Sequence, residues 1–529
     1  MRGNNIFFGI WLTIASLARA IHNPIISGWN PDPSILRVQD DYYIATSSFE
    51  YFPGIPIYKS RDLSNWSLIS HAFTRPDQLQ LYGTPTGAGA WAPSLAHFDG
   101  KFWIASMTRW TYDPVARVWP RVFFASSVDL IHWSEPTWAD PWGIDPELFR
   151  DPVSKKTYLS LMAPNNNQDR LWGIYQCEIS LKDGNCGTDD LHRSTIARSR
   201  SAEGPFKAGP NNPLLFNGAY GFDNLTVQST GHATMVETPS GKWYAAFLAR
   251  RKINGSSPLG RETFLTSVTW KDGWPIFNDG KPILLSEEVG PVTGKRRIPP
   301  PFVDDFSSQT LDSEWYQLRT PYTRNFKVHK GSIELRPNVF SLSDRDTPAA
   351  LLRKQKSLNM TFSAELLGFN KTLGSKNQVG ISSYLSEFQH QDIGVTGCAN
   401  TTGLCIYTEL WQNQTSQYHQ IPLNTTRLTE PLVLHIRATP LLYQLGYSLG
   451  NALQPNYIAE IASSWQAFAP TNYFVFSGAS FAIFATGLGE PWPYDGPVVG
   501  FKRVAETYFE ENIPDHDIWD KQQPVGTCT

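Results

Sequence analysis

Two aspartates, a histidine and an arginine stand out by their places in a repeated pattern: Asp32, Asp145, His232 and Arg261. Asp32 opens Asp32-Pro33-Ser34-Ile35-Leu36, Asp145 opens Asp145-Pro146-Glu147-Leu148-Phe149, and His232 opens His232-Ala233-Thr234-Met235-Val236. Ala92-Pro93-Ser94-Leu95 holds the same place without a polar group. Two carboxylates and an imidazole brought to one point can share the work of proton transfer. Neighbouring, partly desolvated acids are pushed to different pKa values and so divide into a base and an acid. An Asp before Pro ordinarily starts a turn, so Asp32 alone argues little; the register it shares with Asp145 and His232 gives it weight. Arg261 carries a planar fork of donors suited to vicinal hydroxyls, although a surface ion pair with the adjacent Glu262 is its plainer use.

Each of the four segments leads through a Gly/Asp-type turn into an aromatic-rich strand: Tyr42-Tyr43-Ile44-Ala45, Phe102-Trp103-Ile104-Ala105, Thr157-Tyr158-Leu159-Ser160 and Trp243-Tyr244-Ala245-Ala246. Two such runs around turn residues make a hairpin. A second hairpin signal follows, as in Ser60-Arg61-Asp62-Leu63 before Trp66 and in Asp129 before Trp133. Four strands per unit predict a β-propeller blade. The first strand of each blade lines the central channel, so one repeat position taken from several blades meets at the axis. The repeat begins at 32, 92, 145 and 232, and its intervals of 60, 53 and 87 break regularity at the end. The last interval is too long for one blade and too short for two. Between Leu171 and Phe206 a single strand pair is expected, Trp172 to Ser180 with Ser194 to Arg200, so either one blade carries a long insertion or a fifth blade is present in abridged form.

Composition sets the class. Among 529 residues, 13% are aromatic, with 39 Gly and 39 Pro, which favours a turn-rich β protein. Flat rings also suit the C–H faces of sugars. A net charge of −3 gives no electrostatic reason for nucleic acid or an anionic membrane. Residues 1–20 carry the parts of a secretory signal: Arg2, an apolar run from Ile6 to Leu17, and Ala18-Arg19-Ala20 for cleavage. That run is shorter than the about 20 residues that span a bilayer. Asn65, Asn224, Asn254, Asn359, Asn370, Asn400, Asn413 and Asn424 each head a glycosylation triplet. Cys177 with Cys186, and Cys398 with Cys405, flank turn-like stretches and predict local disulfides in an oxidising compartment, leaving Cys528 over. A secreted protein outside the membrane is expected, and no zinc spacing accompanies the cysteines.

From Ser286 to Pro301 the repeat stops and the chain reads as a linker. Short alternating strands follow, such as Gly331 to Arg336, Gln378 to Ser382, Leu404 to Tyr407, Leu432 to Arg437 and Phe481 to Ala485, and predict a two-sheet sandwich. No catalytic constellation stands out there, which reads as a structural buttress. The division is a signal at 1–20, a propeller at 21–298 and a sandwich at 302–529.

Asn30-Pro31-Asp32-Pro33-Ser34, Ala90-Trp91-Ala92-Pro93-Ser94-Leu95, Gly143-Ile144-Asp145-Pro146-Glu147-Leu148-Phe149, Gly231-His232-Ala233 and Leu259-Gly260-Arg261-Glu262-Thr263-Phe264 occur in this order. Together they resemble the motifs of glycoside hydrolase family 43, in its two-domain fungal β-xylosidase and α-L-arabinofuranosidase branch. The resemblance implies an all-β protein: a five-bladed β-propeller, its fourth blade abridged, followed by a concanavalin-A-like β-sandwich that sometimes closes one side of the pocket. It implies inverting hydrolysis of terminal xylose or arabinose from xylooligosaccharide or arabinoxylan, with no required cofactor. Asp32 then matches the general base, and Asp145 the carboxylate that tunes the acid and holds the sugar. Arg261 matches a sugar-binding arginine. His232 matches a channel histidine over the sugar or a central ion, hence a structural Ca²⁺ near His232. Trp91, with Phe49 and Phe52 of the loop Phe49 to Gly54, matches aromatics framing the same subsite.

One motif is missing. The family's general acid is a Glu in a Glu-Gly-Pro-His-Leu-Tyr type stretch, and here the chain passes from Gly173 to Ile179, through Thr188 to Leu191, straight into His192 to Ser199. Glu203-Gly204-Pro205 has the letters, but it precedes Phe206 and falls in the next turn. The general acid is therefore unassigned. The expected enzyme is an impaired exo-glycosidase; the alternative is a sugar-binding relative without turnover, or an incomplete reading of the gene.

Overall fold

The computed structural model describes residues 20–109, 120–164, 172–184, 190–192, 197–200, 207–217, 224–292, 298–369, 371–412, 415–423, 428–452, 454–466 and 475–514. Among them every regular element is a strand, apart from 3₁₀ turns at Asn278–Gly280 and Ser463–Gln466. The molecule is all-β.

In the first half, four-stranded antiparallel sheets follow one another, each in simple sequential order. The first sheet is Ser34–Val38, Asp41–Ala45, Gly54–Ser60 and Ser67–Phe73; the second is Gly89–Phe98, Lys101–Arg109, Arg121–Ser127 and Thr137–Trp142. The third is Ile144–Arg150, Thr157–Pro164, Trp172–Glu178 and Asp190–His192; the last is Val227–Glu237, Trp243–Arg251, Glu262–Lys271 and Trp274–Phe277. The first strand of the last sheet packs on that of the first, which packs on that of the second, which packs on that of the third. This is the radial arrangement of a propeller.

The repeated Ser-x-Asp-Leu-x-x-Trp stretches fold alike for one local reason. Ser60 Oγ accepts from Leu63 N–H at 2.9 Å, Asp62 Oδ1 accepts from Ser64 and Asn65 N–H at 2.9 and 2.7 Å, and Trp66 Nε1 donates to Leu63 O at 3.0 Å. Ser127, Asp129 and Trp133 repeat each of these bonds. Short polar side chains thus satisfy the backbone donors of a tight turn.

The third sheet corrects one expectation. Trp172–Glu178 does not pair with the strand near Ser194; it pairs along its whole length with Thr157–Pro164, then with Asp190–His192. Ala197–Arg198 pairs instead with Lys207–Ala208. That two-residue ladder is what the described residues contain between the third and last sheets. Glu203 lies outside the described residues.

The presumed linker is also partly a strand. Ser286–Val292 pairs with Ala20–His22, because the chain's start is brought back to the last sheet and its backbone groups need partners. Asn23 bonds both ways with Leu265, Ile25 N–H donates to Thr263 O at 2.9 Å, and Asn30 N–H donates to Arg261 O at 2.8 Å. This lacing holds the segment before Asp32 against the strand that follows Arg261.

The second half is a sandwich of an eight-stranded and a six-stranded sheet, packed around Phe362, Ile381, Ile393, Ile406, Leu434, Ile436, Phe481 and Phe501 among others. Met360–Leu366 and Leu432–Ala438 alternate between buried and half-buried residues, whereas Gln378–Ser386 and Gln389–Gly397 are buried throughout. The first pair faces water on one side; the second pair is covered on both. Tyr384, Tyr407, Ala482 and Phe484 of this covered sheet share one apolar cluster with Trp29, Phe49, Tyr51 and Trp91 of the propeller. Cys398 and Cys405 are disulfide-bonded. Cys177 is bonded too, while Cys186 and Cys528 lie outside the described residues.

Candidate active site

Asp32, Ala92, Asp145 and His232 share an unusual backbone state, with φ of 55°, 38°, 54° and 52°. Residues other than Gly rarely adopt the left-handed region, at a cost of about 1 kcal/mol each. The ladders skip at the same places: between Trp91 and Ser94, Ile144 and Glu147, and Gly231 and Thr234. Such a bulge adds a residue to the first strand of a sheet and re-aims its side chain. Four sheets spend the same strain at the same position, and the polar side chains it turns out meet.

His232 Nδ1 lies 3.7 Å from Asp32 Oδ1 and 4.0 Å from Asp145 Oδ2, and an Arg261 terminal nitrogen lies 3.9 Å from Asp32 Oδ1. Asp32 is the most enclosed, at 11% side-chain exposure against 37% for Asp145. Ser47 Oγ donates to Asp32 Oδ2 at 2.5 Å and accepts from Ala92 N–H at 2.6 Å, tying the first sheet's carboxylate to the second sheet. Burial pushes the Asp145 carboxyl up; His232 pulls it back, Asp32 raises it further and Arg261 lowers it, with a net rise. Glu147 is raised as well, by the protein enclosing it and against the pull of His232, although its side chain remains reachable by solvent.

The surface ion pair considered for Arg261 does not form. Glu262 is taken by the fully buried Arg251, at 2.7 and 3.0 Å, because successive strand residues point to opposite faces. Arg261 turns to Asp32 and lies over Phe476, its guanidinium carbon 4.2 Å from the ring centroid. Phe476 comes from the sandwich and also meets Trp91 at 5.4 Å and Phe49 at 6.3 Å, centroid to centroid. The sandwich therefore supplies a wall of this cluster rather than only supporting it. Two glycines allow the approach. A Cβ on Gly478 would stand 2.3 Å from the Leu259 carbonyl carbon, and one on Gly260 would stand 2.2 Å from Ser477 O. Backbone touches backbone there, and Ala479 N–H donates to Pro258 O at 2.8 Å.

Trp91 is oriented by its indole N–H on Gly87 O at 3.0 Å, and meets Phe49 at 6.4 Å. Phe52 is placed differently. It pairs with Gln317 in a short ladder between the two halves, and among the described residues no ring or ion contact joins it to this cluster. Sequence reasoning missed Ser47, an ordinary Ser in a Thr-Ser-Ser run, and Phe476, which follows Arg261 by more than 200 residues with no shared period. Among the described residues no three His, Cys, Asp or Glu side chains are arranged to hold a metal ion.

Under the Phe49 loop sits a buried carboxyl, Glu50. It accepts Gly87 N–H at 2.9 Å, and burial raises its pKa to about 8 despite that bond and nearby Arg319, with Glu387 adding to the rise. The unfolded chain releases this proton near 4.5, so the folded protein holds an extra proton between there and about 8. The associated stability is complete at low pH and is lost as pH rises through about 8. Glu50→Gln should therefore raise the melting midpoint relative to wild type at pH 9 and leave it nearly unchanged at pH 4. Thermal melts across that range check this; parallel curves for the two proteins would refute it.

Residues 21–185 and 182–275 match glycosyl hydrolases family 43, and residues 303–492 match the β-xylosidase C-terminal concanavalin A-like domain. The non-reducing end α-L-arabinofuranosidase BoGH43B of Bacteroides ovatus is 32% identical over 431 residues, covering 74% of this chain and 79% of that protein. The chain belongs to glycoside hydrolase family 43. A β-xylosidase of Bacillus subtilis is 34% identical over 399 residues, covering 65% of this chain and 73% of the relative. Among solved structures, the xylan β-1,4-xylosidase from Bacillus halodurans C-125 superposes with a TM-score of 0.83 at 25% identity, covering 92% of this chain and all of that one. The fold is thus a family 43 β-propeller followed by a concanavalin-A-like sandwich, and the protein is a glycoside hydrolase by family. The propeller match falls in two stretches that overlap at 182–185, ahead of the last strand of the third sheet.

Proposed function

We propose that this chain is a secreted, exo-acting glycosidase of the inverting type, impaired by loss of its general-acid strand, that acts on terminal xylose or arabinose of plant cell-wall xylan fragments. The observation that carries the reading is the shared left-handed backbone state of Asp32, Asp145 and His232, whose side chains meet at one point beside Arg261. Asp32, fixed by Ser47 and enclosed, is the base that takes a proton from water as it attacks the anomeric carbon. Asp145 sets the local charge and holds sugar hydroxyls. Arg261 and His232 donate to the sugar, and Trp91 and Phe476, backed by the buried Phe49, pack against its apolar edges. Inversion needs an acid about 6.5–9.5 Å from the base, across the water; the division of the family match into two stretches supports the reading that this partner is absent.

That division also favours a second reading, a relative that binds pentose without turning it over. An aryl β-xyloside assay separates the two. Release of phenol that Asp32→Ala abolishes supports the enzyme; xylose binding by calorimetry without any release supports the binding protein; release indifferent to Asp32→Ala defeats the assignment of the base.

Phe476→Ala tests the sandwich's part in the site. Losing an aromatic wall forfeits about 1.4 kcal/mol of packing, or tenfold in binding. KM on the aryl xyloside is expected to rise about tenfold, with kcat changed far less. An unchanged KM would remove Phe476 from the subsite.

A further inference from the structure

Within the sandwich, Ser343, His390 and Asp392 form a hydrogen-bonded chain. His390 and Asp392 are alternate residues of Gln389–Gly397 and leave that strand on one face. Both Asp392 oxygens lie 3.0 Å from His390 Nδ1, and His390 Nε2 lies 2.8 Å from Ser343 Oγ. The chemistry gives the chain a direction. A carboxylate only accepts, so Nδ1 carries the proton; the neutral ring then has its lone pair on Nε2, and the Ser343 hydroxyl donates to it.

Burial is graded along the same line. His390 is 1% and Asp392 4% exposed, whereas Ser343 is half-buried on a surface turn closed by Asp344 N–H on Ser341 O. Solvent thus comes nearer the Ser343 end of the chain than the carboxylate end. Trp411 and Tyr384 lie 26° and 28° from the imidazole plane, at 5.6 and 6.0 Å, and hold the ring between them. The Ser343 N–H makes only a 3.3 Å contact with Ser341 Oγ, long enough for a developing oxyanion to displace it.

We propose that Ser343, His390 and Asp392 are a nucleophile, base and orienting acid for hydrolysis of carboxylic esters, at a site within the sandwich. Ser343 Oγ bonds to the ester carbonyl carbon as its proton passes to His390 Nε2, and Asp392 stabilises the imidazolium. The tetrahedral adduct collapses, the C–O bond to the alcohol breaks, and the departing oxygen takes the proton from Nε2. Water then attacks the acyl-Ser343 carbonyl, giving its proton to His390; the carboxylic acid leaves and the Ser343 hydroxyl is restored.

The test treats the full chain with a fluorophosphonate reagent, maps the adduct by peptide mass spectrometry, and measures p-nitrophenyl acetate hydrolysis in parallel. The expected result is one adduct on Ser343, with ester turnover falling at least about 10²-fold in Ser343→Ala and in Asp392→Asn. Melting curves show that the variants fold; should the buried Asp392→Asn fail to, Ser343→Ala at its exposed turn decides alone. No adduct on Ser343, or wild-type ester turnover in Ser343→Ala, overturns the proposal.

Discussion

Xylobiose is expected to be cleaved about 10²–10⁴-fold more slowly by this chain than by a version with a Glu-Gly-Pro-His-bearing strand pair restored between Gly187 and His192. An alkoxide departing from a second xylose needs a proton in the transition state, and the Asp32–Asp145–His232–Arg261 cluster offers an enclosed carboxylate for the proposed base but no assigned donor. A 2,4-dinitrophenyl xyloside needs no such proton, because its phenolate is already a stable anion. The two chains should therefore cleave it at similar rates. Measuring kcat/KM for both substrates on both chains gives four numbers, and only the xylobiose pair should diverge. Asp32→Asn should remove activity on both substrates in either background, since water activation is common to them. Equal rates on xylobiose before and after restoration would show that a general acid is already present elsewhere in this chain.

Removing the negative partner of Arg251 should cost about 3–5 kcal/mol of stability, the range for one half of a buried ion pair. Arg251 and Glu262 side chains are both 0% exposed and joined at 2.7 and 3.0 Å, and Glu511 from the far end of the chain reaches Arg251 at 2.5 Å. Burial opposes the arginine's charge, and the two carboxylates outweigh it, holding the guanidinium protonated above its usual range. Glu262 also accepts Gly28 N–H at 3.1 Å, just before the segment that carries Asp32. Glu262→Gln leaves a buried cation half-paired and should lower the urea midpoint sharply. In a Glu511→Gln background, replacing Arg251 and Glu262 together by Met should cost less than Glu262→Gln, because no orphaned charge remains. A double variant less stable than either single one would mean that the pair itself, and not the avoidance of an unpaired charge, holds this region together.

Much of the site was legible because a repeat is a statement about equivalent positions. Asp32, Ala92, Asp145 and His232 were aligned by their Pro and apolar neighbours, and they proved to be the positions with left-handed φ. Phe49 and Trp91 were legible through their motifs. Phe52 carried the same kind of signal but spends its strand on Gln317. The linker at 286–301 misread for a related reason: Ser286–Val292 has weak strand character alone and becomes a strand only because Ala20–His22 is returned to it.

The order of residues along the chain determined the sheet class, the radial repeat, the break after the third unit and the carboxylates at its head, since all of these are written in local periodicity and turn chemistry. Tertiary structure alone decided that Arg261 leaves Glu262 to Arg251 and lies against Phe476, and that Ser343 meets His390. Those contacts join segments with no common period, through close approach at Gly260 and Gly478 or across the face of a folded sheet. Local pattern cannot encode them, because they exist only once packing has settled which surfaces touch.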